Sequence, residues 1–298
     1  MGLKTSASSF QSLINLVMSG YHYQILIAYL DDLLIFSPTI DTHIDNLRDV
    51  LGRLDKANLR LNLLKCSFLK KTITFLGHKI SHNTIQPDPA NLQVIKELSP
   101  PTSQKMVRGF LGLVGFYKKF IKNYGDKCAP LTKLLRKNVR FIFLEECLNT
   151  WQDLRNILIS DPILTMPDYE LTFYLTCDSS SESIASILSQ IHDGVEKVIA
   201  YYGKVLSKAD GLYASTELEA LSVIDSIRHF HIYLSPKLFV VYTDHNALTY
   251  LFTTKNLTGR PARWSLVSIE FSINPAGIHR YSAGILWVYL TLSTKPSV

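Results

Sequence analysis

Apolar and polar positions along this chain follow two rhythms, one of period near 3.6 and one of period 2 or continuous short runs. Over residues 6–18, Phe10, Leu13, Ile14 and Val17 fall on one helical face. Two apolar runs follow, residues 25–30 and 33–36, separated only by Asp31 and Asp32. They predict a β-hairpin with acids at its tip. Helical spacing returns over 43–58, residues 72–80 read as strands, and the polar, proline-containing stretch 82–89 closes this part. From 91 to 158 the pattern is helical, with Pro100-Pro101 separating one helix from the next, which starts near Ser103. Asp161, Pro162, Pro167 and Asp168 predict a linker.

A different pattern begins at Glu170. Residues 171–176, 184–190 and 195–202 read as three successive strands. A helix over 217–234 carries apolar residues at 218, 221, 224, 227, 230 and 234. A strand over 238–242 comes next, then further helix. Three strands, a helix and a strand is an α/β (α+β) order built on a mixed sheet. The chain therefore divides into residues 1–90, 91–168 and 169–298, with no internal repeat and no low-complexity tract.

Composition narrows the class without naming the chemistry. The 298 residues suffice for two or three domains. With 47% hydrophobic and 19% charged residues the chain has the makings of a core and is not a disordered segment. A net charge of +6 is compatible with a polyanionic partner but decides little. The four cysteines, Cys66, Cys128, Cys147 and Cys177, are scattered with no CxxC pair, which argues against a zinc site or a disulfide framework. A reduced, intracellular setting is expected, in a cytoplasmic particle or the nucleus. No run resembles a signal peptide. Residues 25–36 are interrupted by two aspartates, and the run 285–292 is too short to cross a bilayer, so a soluble protein with no membrane partner is expected.

Adjacent carboxylates between two buried strands repel, and a cation is the natural reason to place them together. Magnesium takes hard oxygen ligands from one or two carboxylates plus substrate phosphates. A solvated Asp-Asp turn is the plainer alternative. The context favours chemistry: Tyr29-Leu30-Asp31-Asp32 and its flanks resemble the catalytic YxDD box of reverse transcriptases, in the manner of the gypsy-type retrotransposons. Gly2-Leu3-Lys4, Ser6-Ala7 and Phe10-Gln11 resemble the motif that precedes this box. Leu61-Asn62 and Lys65-Cys66 resemble the turn that follows it. Phe75-Leu76-Gly77-His78 resembles the primer-grip hairpin. Pro87-Asp88-Pro89, Phe110-Leu111-Gly112-Leu113, Tyr117, Phe120-Ile121 and Pro130-Leu131 continue the match. The resemblance implies a partial polymerase palm over 1–90, a thumb or connection over 91–168 and an RNase H-like domain over 169–298. It also implies a third palm carboxylate upstream of the Gly2-Leu3 motif. Asp31 and Asp32 are therefore expected to be idle as polymerase residues in an N-terminally truncated chain.

The same resemblance assigns three further acids. Asp178, in Thr176-Cys177-Asp178-Ser179, ends a strand. Glu219, in Thr216-Glu217-Leu218-Glu219, starts the main helix. Asp244, in Thr243-Asp244-His245, follows the last strand. Together they imply a site for two Mg2+ or Mn2+ ions that activates water against an RNA phosphate, with an RNA/DNA hybrid or template-primer duplex as partner. Each has a structural alternative. Thr216 to Glu219 is also a capping-box pattern, Asp244 can cap a following helix, and Asp178 at a half-buried strand end needs a partner. Arg260 and Arg263 are candidates for phosphate contacts or solvated surface charge.

Two departures stand out. The acid expected near the end of the domain is missing, since no Asp or Glu follows Glu270. Glycines of the strand after Asp178 are replaced by Ser183 and Ala185. A weakened hybrid nuclease is the leading expectation. A duplex-binding module without chemistry and a decayed element product are the alternatives.

Overall fold

The helical spacing of Phe10, Ile14 and Val17 is realised in α1 (Ser6–Val17). A computed structural model describes residues 6–22, 24–207, 209–235, 239–243, 273–274, 280–281 and 285–290. They fall in two units, Met1–Lys71 and Thr72–Val298. In the first, β1 (Leu26–Tyr29) and β2 (Asp32–Ile35) pair antiparallel, with Tyr29 opposite Asp32. Helix α2 (Ile40–Lys56) starts earlier than its apolar period because the Thr39 and Thr42 side chains cap its first turn reciprocally. Ile14, Met18, Leu26, Val50 and Leu54 form the core. Arg53 ties α2 to the end of α1, donating to the Ser19 carbonyl at 2.7 Å with its guanidinium 3.7 Å above the Tyr21 ring.

The second unit opens with β3 (Ile73–Phe75), β4 (His78–Ser81) and β5 (Thr84–Pro87), an antiparallel meander. Helix α3 (Pro89–Glu97) is capped by Asp88 with Pro89 at its first position. Helix α4 (Gln104–Phe116) is capped by Ser103, where the Pro100-Pro101 pair predicts a start. A 3₁₀ turn at Lys118–Phe120, α5 (Tyr124–Lys133) and α6 (Glu145–Ile159) complete a helical block. Its core includes Val107, Phe110, Tyr117, Phe120, Trp151 and Leu154. The stretch expected to be a linker holds a strand, β6 (Leu164–Thr165), which pairs with β5. Two residues carry no periodicity for sequence reading to find. Burial of Leu164 and the 2.9 Å bond from Gln86 to Asp161 hold it.

Strands β7 (Phe173–Ser179), β8 (Ser183–His192) and β9 (Val195–Val205) form an antiparallel meander. Helix α7 (Ser215–His229) follows, then α8 (His231–Leu234) and β10 (Phe239–Thr243), which runs parallel to β7. The single helix predicted over 217–234 is interrupted at Phe230, whose ring is buried in the core. Among the described residues the sheet continues through β11 (Ile273–Asn274), β12 (Arg280–Tyr281) and β13 (Ile285–Leu290). Its order is β11-β13-β10-β7-β8-β9, with β12 beside β13. Ala220, Val223, Ile224 and Ile227 of α7 pack on Phe173, Leu175, Cys177 and Val241. Val198, Tyr201 and Val205 of β9 pack instead on the helical block. The α/β class read from the sequence is the observed one. No helix among the described residues is long and apolar enough to cross a membrane.

Candidate active sites

The hairpin tip carries Asp31 in its turn and Asp32 at the head of β2, both exposed, with Tyr29 beside them 52% exposed. Leu30 takes a left-handed φ of 52°, which costs a branched residue about 1–2 kcal/mol. Gln11 of α1 holds it there. Its Oε1 accepts the Leu30 N–H at 2.6 Å, and its Nε2 donates to the Ala28 carbonyl at 3.4 Å and to Asn15 Oδ1 at 2.8 Å. One amide side chain thus fixes the backbone on which both acids stand.

In the second unit, Phe75 and His78 pair across a turn whose central residues, Leu76 and Gly77, have φ of 47° and 71°. Two successive left-handed residues make the turn that suits a twisted hairpin. A Cβ at Gly77 would also come within 3.0 Å of the Phe116 ring. The Gly77 carbonyl accepts from the buried Tyr117 hydroxyl at 2.9 Å and from the Asp88 N–H at 3.0 Å. The same hydroxyl accepts from Asn91 Nδ2 at 2.8 Å. His78 Nδ1 donates to the Leu76 carbonyl at 2.8 Å, and its ring packs against Phe116, Tyr117 and Phe120 at centroid distances of 5.5, 5.7 and 5.9 Å. Burial, then the neighbouring charge of Lys119, holds the imidazole below its ordinary pKa. Burial pushes the Lys119 ammonium down to about 8. These bonds tie the turn to the helical block, and Leu76 at its tip is exposed.

Asp178 and Ser179, the residue that bonds Glu219, stand together at the end of β7. Phe173, Leu175 and Cys177 face the core, so the pleat turns Asp178 to the other side of the sheet, where it is exposed rather than half-buried. Glu219 is the buried acid, 5% exposed. Its Oε1 accepts from Ser179 Oγ at 2.5 Å, the short length of a hydroxyl bonded to a carboxylate. One turn further along α7, the buried Ser222 hydroxyl lies 2.9 Å from the Asp178 carbonyl. Two bonds from adjacent strand residues therefore pin the first turns of α7 to the strand end that carries Asp178. Burial, aided by the nearby negative charges of Glu219 and Asp178, pushes the Cys177 thiol up to about 12. The capping alternative for Glu219 falls away. The helix begins earlier, and Glu217 Oε2 accepts the Ala214 N–H at 3.1 Å, leaving Glu219 outside the cap.

Thr176 pairs with Tyr242 in the parallel register of β7 and β10. Asp178 and Asp244 each follow their strand's member of that pair by two residues. Asp244, Arg260 and Arg263 lie outside the described residues. Among the described residues no cluster of three His, Cys, Asp or Glu forms a metal-holding group. The donor set still suits a hard cation: carboxylate oxygens, one fixed by a buried hydrogen bond and one open to solvent and phosphate. Sequence reasoning singled out neither Ser179 nor Ser222. The long-range pair of Asn91 and Tyr117 carries no local signal, although both residues can be read.

Comparison with known proteins places these features in order. Residues 1–80 match the family described as reverse transcriptase (RNA-dependent DNA polymerase). Residues 168–271 match the RNase H-like domain found in reverse transcriptase. The retrovirus-related Pol polyprotein from transposon opus of Drosophila melanogaster is 36% identical over 283 residues, covering 91% of this chain and 28% of the relative. That from transposon 297 is 34% identical, with 91% of this chain and 25% of the relative covered. The Tf2-3 polyprotein of Schizosaccharomyces pombe is 31% identical, covering 91% of this chain and 21% of the relative. The chain spans about a quarter of the length of these curated relatives. Among solved structures, a foamy viral protease-reverse transcriptase with an RNA/DNA hybrid superposes with a TM-score of 0.74 at 19% identity. That match covers 89% of this chain and 37% of the other, and it shares the fold.

Proposed function

From a chain that carries a reverse transcriptase segment and an RNase H-like domain, like the Pol polyproteins of transposons, we propose an intracellular gypsy-type element product that binds RNA/DNA hybrid and cuts its RNA strand weakly. The observation that carries this reading is Glu219, buried on the first turns of α7 and bonded to Ser179, the neighbour of Asp178. A buried carboxylate tied to a strand end whose adjoining residue is an exposed aspartate suits a charge that arrives with substrate. Asp178 and Glu219, with Asp244, would hold Mg2+ or Mn2+, which when bound activates water and offsets phosphate charge. Ser179 orients the Glu219 carboxylate, and Ser222 holds the strand end against the helix. The Phe75–His78 turn presents an edge to a duplex, and Arg260 and Arg263 are assigned to its phosphates.

The fourth acid that the resemblance implies is replaced in the stretch Trp287-Val288-Tyr289-Leu290, and this underlies the weakness. Losing one well-placed electrostatic group typically costs about 10²–10³ in rate. Manganese binds oxygen-rich sites more tightly than magnesium and offsets part of that loss. Asp31 and Asp32 belong by position to the palm.

The experiment is cleavage of a hybrid labelled on its RNA strand, in each metal, by the purified chain and by Asp178→Asn. Faint cutting in magnesium, stronger in manganese and absent in the variant, is the expected result. Undiminished cutting by Asp178→Asn, or none by the unmodified chain in either metal, would refute the assignment.

A further inference from the structure

The helical block meets the β7–β9 sheet through two glycines. A Cβ on Gly203 of β9 would lie 2.9 Å from the Gly125 amide nitrogen and 3.1 Å from that of Tyr124. A Cβ on Gly125 would lie 2.7 Å from the Ser183 Cβ, 2.9 Å from its Oγ and 3.0 Å from the Lys204 carbonyl carbon. Distances under 3.0 Å are not tolerated between such atoms, so the two backbones touch only because both positions lack side chains. Neither glycine has a positive φ; space alone requires them.

The contact is braced on both sides. Ser180 Oγ donates to Asp126 Oδ1 at 2.8 Å, and Lys133 Nζ pairs with Glu182 at 2.7 Å. Val198, Tyr201 and Val205 seal the apolar side.

Its position in the sheet gives it a consequence. Gly203 pairs with Ala185, and Ala185 pairs with Asp178. The joint therefore stands on the acid's own row, two strands away, or about 10 Å at the usual strand spacing. At its other end α5 follows directly on Tyr117 and Phe120, which hold the Gly77 turn. A continuous path of tight contacts links the Phe75–His78 hairpin to Asp178. We propose that the Gly125–Gly203 contact sets the separation between this hairpin and the Asp178–Glu219 pair, and thereby selects which phosphodiester of a bound hybrid is cut. The second half of this proposal rests on the nuclease reading above; the first half does not. Gly125 and Gly203 are positioning residues and touch no substrate.

The test reads distance and cut position separately. Dyes are placed on the full chain at His82→Cys and Lys197→Cys in a Cys66→Ser background, and their distance distribution is recorded with and without Gly203→Val. Unlabelled proteins are then used to map cuts, in manganese, on a hybrid with one recessed end. The unmodified joint gives one narrow distance and one dominant cut. Gly203→Val gives a longer or broader distance and moves or spreads the cut by at least one nucleotide. An unchanged distance in a variant that keeps its circular dichroism overturns the joint, and a changed distance with an unmoved cut overturns its role in selection. If Gly203→Val does not fold, Gly125→Ala is compared with Gly125→Ala/Ser183→Gly. The second substitution should bring the distance part of the way back, and no recovery overturns the proposal. If no protein cuts, the nuclease reading and the selection claim fail together, and the distance alone decides whether the joint exists.

Discussion

Glu219 is a buried ionisable group and Lys119 a half-buried one, and each predicts a measurable behaviour. The Glu219 carboxylate is oriented by the 2.5 Å bond from Ser179. Hydrogen bonds to charged groups are worth about 1.5–3 kcal/mol. Ser179→Ala should therefore slow hybrid cleavage by about 10- to 100-fold, less than Asp178→Asn does, with duplex affinity preserved. A rate equal to that of the unmodified chain would show that the bond does not position the acid. Lys119 has a folded pKa of about 8 against 10.5 for the free side chain. Between those values the unfolded chain binds more protons, so this residue makes stability rise with pH from about 8 upward. Lys119→Met should thus be the more stable protein at pH 7, by up to about 3 kcal/mol, with its advantage shrinking toward pH 10. Urea unfolding at pH 7, 8.5 and 10 measures this, and an advantage that does not vary with pH contradicts it. The family resemblance made Glu219 a candidate, while the residues themselves left capping and chemistry open. What separates them is Glu217, which closes the helix start on Ala214. The choice between two glutamates two residues apart depends on where the helix begins, and boundaries are the least legible feature of a sequence.

At the scale of elements, the strong periodicities survive and the weak ones do not. The acid-tipped hairpin, the helix start near Ser103 and the β7–β9 meander follow the apolar pattern closely. Strand β6 was invisible because its partner β5 lies about 80 residues upstream in the register Ile85 to Leu164. The break at Phe230 was equally hidden, since the apolar period runs unbroken through it. The two faces of the β7–β9 sheet are covered by different partners: α7 on one, the helical block on the other. Residues 169–298 produced alone would expose Val198, Tyr201 and Val205 together with the bare backbone at Gly203. This fragment should melt at least several degrees below the full chain and bind more of a hydrophobic dye. Calorimetry checks it, and equal melting temperatures would mean that the helical block contributes nothing to the sheet's stability.

For the whole molecule, the acids of the two units are set in opposite ways. Asp31 and Asp32 are exposed at a turn fixed by Gln11. Asp178 is exposed at a strand end, while the buried Glu219 is bonded to its neighbour Ser179 and Ser222 holds the Asp178 backbone carbonyl. Motif order made all four legible as candidates, whereas the contacts that distinguish the two sets join residues about 20 to 45 positions apart and leave no local trace. The account assigns phosphodiester cleavage to the second set alone. The direct test is the cleavage rate of one RNA/DNA hybrid, in manganese, by the chain, by Glu219→Gln and by Asp31→Asn/Asp32→Asn. Glutamine keeps an acceptor for Ser179 while removing the charge, so its effect isolates the carboxylate. The account predicts at least about a 100-fold loss for Glu219→Gln and a rate within twofold of the unmodified chain for the palm double variant. Full activity of Glu219→Gln, or loss of cleavage in Asp31→Asn/Asp32→Asn, would contradict it.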